Sequence, residues 1–235
     1  MHLARVFLRS LVASLALGAC LVSPQPTPPG EEPTLVAELV TPGGPQDLSD
    51  LVRFKGEPGA VAPPDAKVLI TNLEATNLPH VALVAADGSF DIQIPGAVGD
   101  EFRIEVVAPS GLRSTPLDVV KNISDTSFDP GPRPLADCLV LAPSSSLAFV
   151  GAGDVQSLVV RNDCPDELSF LAPRLRRGAA SFTFEPTTPF VLAPGAVQTV
   201  TVEVGAQGNE RDDVFFIETT GAVTDRRPLT LFVVP

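Results

Sequence analysis

Tryptophan and tyrosine are absent from these 235 residues, and histidine occurs twice, methionine once and cysteine three times. Without tryptophan or tyrosine the chain lacks the rings that usually build platforms for sugars and stacked bases, or cages for cations. A carbohydrate-binding module of the usual aromatic kind is therefore disfavoured. Positive charge is also scarce: 16 Lys and Arg against 28 Asp and Glu give a net charge of −12. Binding to nucleic acid depends on clustered Lys and Arg that neutralise phosphates, so this balance argues against nucleic-acid partners. What is abundant points to strands. The 25 prolines and 18 glycines forbid long helices, while the Val, Leu and Phe content suits pleated strands. The composition predicts an all-β protein.

The N-terminus has its own layout. Arg5 and Arg9 precede a stretch from Ser10 to Ala19 that is apolar or small throughout, and Cys20 closes it. Charged, then apolar, then small is the order of a secretory signal peptide. A transmembrane anchor ending at Cys20 is the competing reading, but a stretch this short does not reach across a hydrocarbon core that needs about 20 residues. Plain secretion without an anchor is the other alternative. Leu17-Gly18-Ala19-Cys20 resembles the lipobox of bacterial lipoprotein precursors, in which the cysteine thiol receives a diacylglyceryl group. Gly18 departs from the alanine or serine commoner in that family. The resemblance implies a signal peptide over 1–19, lipidation at Cys20, and attachment to a membrane through two or three acyl chains, enough for stable anchoring. Leu21 is not the Asp that retains such proteins in the inner membrane of many Gram-negative bacteria. The implied address is therefore the cell envelope, on the outer membrane, at its periplasmic or surface face.

With Cys20 lipidated, Cys138 and Cys164 are the remaining thiols, in a compartment that permits disulfides. A bridge between them would contribute roughly 3 to 4 kcal/mol in the chain-entropy model; two buried reduced thiols are the alternative. Loss of Arg5 and Arg9 would also make the exported chain more acidic still.

Two proline-rich stretches divide the remainder of the chain. SPQPTPPGEEP, Ser23 to Pro33, cannot build a core, so residues 20–33 read as an extended tether. Ser124 to Ala136, with alternating Pro130, Pro132 and Pro134, reads as a stiff linker over 124–136. The expected domains are thus 34–123 and 137–235. In the first, Phe90-Asp91-Ile92-Gln93-Ile94 and Phe102-Arg103-Ile104-Glu105-Val106 alternate apolar and polar, the pattern of half-buried strands with polar outer faces. Asp87-Gly88 suits a tight hairpin turn with positive φ, and Gly99-Asp100 a second turn. Thr34 to Val40 and Lys67 to Thr71 complete the strands read there. In the second, Ser181-Phe182-Thr183-Phe184 and Val200-Thr201-Val202-Glu203-Val204 alternate, Pro194-Gly195 forms a turn, and Val214 to Thr219 and Leu229 to Val233 are further strands. Short strands at this spacing predict two β-sandwiches in tandem.

The residues also carry family likeness. Gly56, Gly59-Ala60-Val61, the Val68 strand ending at Asn72, Asp87-Gly88-Ser89-Phe90, Gly99-Asp100 and Gly111 resemble the bacterial Ig-like repeats of surface and adhesin-type proteins. Leu147-Ala148-Phe149, Gly153, Ser157 to Asn162 and Pro189 to Gly195 resemble the Ig-like domains of the sperm-protein and cilia-associated type. Cys164 stands where that family has small or polar residues, so the disulfide would be a local addition. Both resemblances imply a fold and are nearly silent on function.

Catalytic chemistry finds little material. A serine or cysteine nucleophile needs a base, and with His2 in the signal peptide only His80 remains, beside Pro79 in an expected loop. Cys138 and Cys164, if bridged, supply neither a thiolate nor a zinc ligand. Calcium is hardest to exclude, because carboxylates cluster at Asp87/Asp91, Asp100/Glu101, Asp163/Asp166/Glu167 and Asp212/Asp213. None has the spacing of a known calcium loop, and turn-forming Asp with solvated charge explains them better. Asn122-Ile123-Ser124 fits a glycosylation acceptor that a bacterial lipobox makes irrelevant in most hosts. Arg174 to Arg177, RLRR, is the one basic cluster, read as a solvated loop or a contact for an acidic partner. No catalytic, cofactor-binding or metal-ligating residue is assigned. The expected function is a non-enzymatic, membrane-anchored binding, adhesion or structural module facing an envelope or extracellular protein. The alternatives are an accessory or hydrolytic enzyme with a carboxylate site and a passive spacer.

Overall fold

The computed structural model describes residues 31–42, 50–123, 127–131, 137–206, 211–220 and 225–234. The expected signal peptide over 1–19, Cys20 and most of the expected tether lie outside them. Glu32–Pro235 is one compact unit, all-β, built as two Ig-like β-sandwiches. Among the described residues the helical content is a 3-10 turn at Ala37–Leu39.

The first sandwich contains β1 (Thr34–Leu35), β2 (Val40–Thr41), β3 (Leu51–Gly56), β4 (Val61–Ala62), β5 (Lys67–Asn72), β6 (His80–Leu83), β7 (Phe90–Pro95), β8 (Glu101–Val107), β9 (Leu117–Val120) and β10 (Asp129–Pro130). One sheet runs β10-β9-β8-β5-β6, a second β2-β3-β7, and β1 pairs with β4. Alternation places Val68, Ile70, Phe102, Ile104 and Val106 of the five-stranded sheet against Val52, Phe54, Phe90 and Ile94 of the three-stranded one. Phe54 meets Phe102 edge-on at 5.2 Å between centroids and stacks on Phe128 at 4.9 Å. The Asp87-Gly88 turn forms, with Gly88 at φ +82 and an added Cβ there 2.6 Å from the Val61 carbonyl oxygen, but the expected hairpin does not: β6 pairs with β5 and β7 with β3, so the turn carries the chain from one sheet to the other.

Two further features depart from the sequence reading. The strand expected over Thr34 to Val40 is broken by the 3-10 turn, and its two halves pair with different strands, β4 and β3. The 124–136 stretch, expected as a linker, carries Phe128 into the first core and β10 onto β9, with Asp129 opposite Val120.

The second sandwich contains β11 (Leu139–Ala142), β12 (Ser146–Phe149), β13 (Val155–Asn162), β14 (Leu168–Phe170), β15 (Arg174–Leu175), β16 (Phe182–Glu185), β17 (Phe190–Leu192), β18 (Val197–Val204), β19 (Asp212–Thr220) and β20 (Arg226–Val233). The sheet β11-β13-β18-β16 faces the sheet β12-β20-β19-β14-β17, and β15 also pairs with β19. β12 and β20 run parallel, with Leu147 opposite Leu231. Leu158, Val160, Val200 and Val202 of one sheet pack on Phe149, Phe215, Ile217, Leu229 and Leu231 of the other.

Cys138 and Cys164 form the disulfide, joining the start of β11 to the loop after β13. Asn162, fully buried, organises that loop: its Nδ2 donates to the Leu192 and Asp166 carbonyls, and its Oδ1 accepts the Cys164 amide at 2.9 Å. Replacing both cysteines by serine is expected to lower stability by about 3 to 4 kcal/mol, because the open chain regains loop entropy when unfolded. Urea midpoints of the two proteins check this, and equal midpoints would rule it out.

Candidate functional site: the seam between the sandwiches

Arg103 and Glu105 alternate with core residues along β8 and so point away from the first core, yet they are 2% and 3% exposed. The polar outer face expected for the Phe102 to Val106 strand is therefore corrected: β8 is buried on both faces. The second sandwich covers it. Along β19 and β20 the residues facing away from the second core are Val214 and Phe216, and Pro228, Thr230 and Phe232, all buried. Phe216 and Val214 join Leu73 of the first sandwich in a small apolar cluster distinct from both cores.

Arginines dominate the remainder. Arg103 donates Nε and Nη2 to the Asp118 carboxylate at 2.7 and 2.8 Å. It also crosses the seam, with Nη2 to the Pro228 carbonyl at 2.7 Å and Nη1 to the Ser145 carbonyl and the Thr230 hydroxyl at 3.2 Å. Arg113, in the loop after β8, bonds Glu105 at 3.3 Å and, across the seam, Asp212 at 3.3 Å, and lies over the Phe232 ring. From the other side Arg226 pairs with Glu74 and Glu101 and covers Phe216. Arg176 donates to the carbonyls of Asn72, Ala75 and Asn77.

The RLRR reading is thus corrected as well. Arg176 is 6% exposed and plugs the first sandwich, and Arg177 is held by Asp212 and Asp213. Arg174 remains exposed and pairs with Glu218. The physical reason is that a guanidinium can satisfy several carbonyls at once while its stem fills apolar space. Composition cannot tell such a plug from a solvated loop.

Burial pushes the Glu105 carboxyl above its ordinary range, against the pull of Arg113 and then Arg103. Its Oε1, with Arg176 Nε and Arg177 Nε, is buried without a hydrogen-bond partner among the described residues. Thr71, Glu105, Arg113, Arg176, Arg177, Asp213 and Thr230 line a cavity of about 10 Å³, room for one water. Asp225, before β20, is likewise pushed up by burial, opposed by the Arg226 amide and Arg227.

The other sequence candidates are dispersed. Asp87 accepts the Ser89 amide and hydroxyl, which holds its carboxyl below the usual range. Asp91 pairs with Arg53 and Asp163 with Arg161. Asp100 accepts Asn72 and the Ala97 amide. Asp212 pairs with Arg113 across the seam, whereas Asp213 binds Arg177 and the Ala179 and Val214 amides within the second sandwich. Among the described residues no three His, Cys, Asp or Glu side chains converge as a metal site would require. His80, expected in a loop, opens β6 opposite Ile70. Cys20 lies outside the described residues.

No family model matches the chain, and no curated protein matches it. Solved structures do. WR4, an MSP family member of C. elegans, is similar at 9% identity over 42% of this chain and 100% of its own, with TM-score 0.35. The MSP-domain-like protein SSP-19 of Caenorhabditis elegans gives 13% identity over 40% and 99%, with TM-score 0.33. The ASH / PapD-like domain of human CEP192 gives 17% over 48% and 96%, with TM-score 0.30. At these identities and scores the likeness carries no argument, and the fold rests on the sheets themselves.

Proposed function

We propose that this chain is a non-enzymatic exported lipoprotein, anchored through Cys20 to the cell envelope at the outer membrane, that presents two Ig-like sandwiches to an envelope or extracellular protein partner. The observation that carries this reading is the seam. Outward residues of β8, β19 and β20, which would otherwise be solvated, are consumed in joining the sandwiches, so that Glu32–Pro235 is a single compact unit. Such an arrangement serves to hold surfaces in a set relation. The carboxylates a hydrolytic site would draw on are instead occupied by turns and guanidinium groups. The remaining surface, with its loops and edge strands, is where such scaffolds carry recognition.

Metabolic labelling with a fatty-acid analogue, followed by cell fractionation, tests the anchor. The parent chain is expected to carry label and sediment with membranes, and Cys20→Ala to lose both. An unlabelled parent, or a Cys20→Ala chain that stays in the same fraction, would overturn the proposal. Crosslinking of the membrane-bound parent then separates the binding reading, in which one protein is enriched, from a spacer that enriches none.

A further inference from the structure

We infer that the seam binds one internal water molecule, held between the Glu105 carboxyl of the first sandwich and the guanidinium groups of Arg176 and Arg177 of the second. Three polar atoms call for it. Glu105 Oε1, Arg176 Nε and Arg177 Nε are buried and have no hydrogen-bond partner among the described residues. Arg177 Nε lies 3.6 Å from Asp213 Oδ1, too far for a hydrogen bond. The three residues come from both sides of the seam, yet all line the same cavity of about 10 Å³.

The orphan atoms cannot simply turn toward protein partners. Glu105 Oε2 is engaged by Arg113 at 3.3 Å. Both terminal nitrogens of Arg176 are spent on the carbonyls of Asn72, Ala75 and Asn77, and Arg177 Nη2 donates to Asp212 Oδ1 at 2.9 Å. Each side chain is thus fixed at its far end, and rotating it would surrender a bond already made. A buried donor or acceptor left without a partner carries its full desolvation cost. One water answers all three at once, and three hydrogen bonds is the usual complement of a buried water.

Size and chemistry select the ligand together. A cavity of this volume takes a single water and no larger molecule. The site presents two N–H donors and one carboxyl oxygen, so its occupant must both accept and donate. Chloride would suit the donors but meet the Glu105 and Asp213 oxygens; sodium would suit the oxygens but meet two guanidinium groups. Water accepts from both Nε atoms and donates to Oε1. Through it β8 and the turn after β15 are joined where these three atoms make no direct hydrogen bond.

Two measurements on the full chain test this. A crystal structure at a resolution that shows ordered waters is expected to place one density peak within about 3.2 Å of Glu105 Oε1 and of both Nε atoms. In solution, rotating-frame spectra of the ¹⁵N-labelled chain are expected to show cross-peaks from the Arg176 and Arg177 Nε–H protons to water, with the sign of dipolar contact and not of proton exchange. Arg→Lys at each position, which removes Nε, identifies the two resonances by their loss. Absence of density between the three atoms, a different ion there, Nε atoms bonded to protein acceptors, or Nε–H protons without a dipolar water contact would each overturn the inference.

Discussion

Arg103→Met is expected to remove about 3 to 5 kcal/mol of coupling between the sandwiches and to turn one urea transition into two. Methionine can occupy the space of the arginine stem but offers no donors. The Asp118 carboxylate, 10% exposed, loses the guanidinium that holds it, and the carbonyls of Pro228 and Ser145 lose a partner across the seam. Stranding one member of a buried pair costs far more than the pair itself contributes, because the survivor must stay charged in a dry place. Since each core is self-contained, the loss falls on the junction. Far-UV circular dichroism against urea at neutral pH checks this. A single transition at the parent's midpoint would show that Arg103 does not join the modules.

Asp213→Ala is expected to act inside the second sandwich, lowering its stability by about 3 to 5 kcal/mol. The carboxylate is wholly buried and accepts the amides of Arg177, Ala179 and Val214 at 2.7 to 3.2 Å, tying the turn after β15 to the start of β19. Alanine leaves those amides without acceptors and Arg177 without one of its two counter-ions. Asp213→Asn keeps one acceptor oxygen and should recover part of the loss. The urea midpoint of the chain's transition reads the effect, and equal midpoints for Asp213→Ala and the parent would contradict it.

Much of the fold is legible in the chain, and the limit of that legibility has a physical origin. Alternation in Phe90 to Ile94 and in Val200 to Val204 identifies β7 and β18 and the side chains that enter each core, because side chains on a strand share a face at every second position. The same alternation in Phe102 to Val106 assigns Arg103 and Glu105 to the outer face correctly. It says nothing of what covers that face, which is a strand pair over 100 residues further along the chain. Arg176 and Arg177 are hidden for the same reason, since their acceptors include backbone carbonyls, which leave no mark in composition. The disulfide could be anticipated from cysteine count and a predicted export signal. Short elements such as β14 and β15 were out of reach: two or three residues show no period, and their pairing with β19 decides them.

The matched faces along β8 and along β19 and β20 constrain how this chain can change. A substitution at Glu101 has to be answered at Arg226, and one at Arg113 at Asp212, so tolerance to mutation is shared between positions far apart in sequence. Either module transplanted alone onto another scaffold would display a panel of stranded guanidinium and carboxylate groups. What recombination can usefully move is the couple, inherited together.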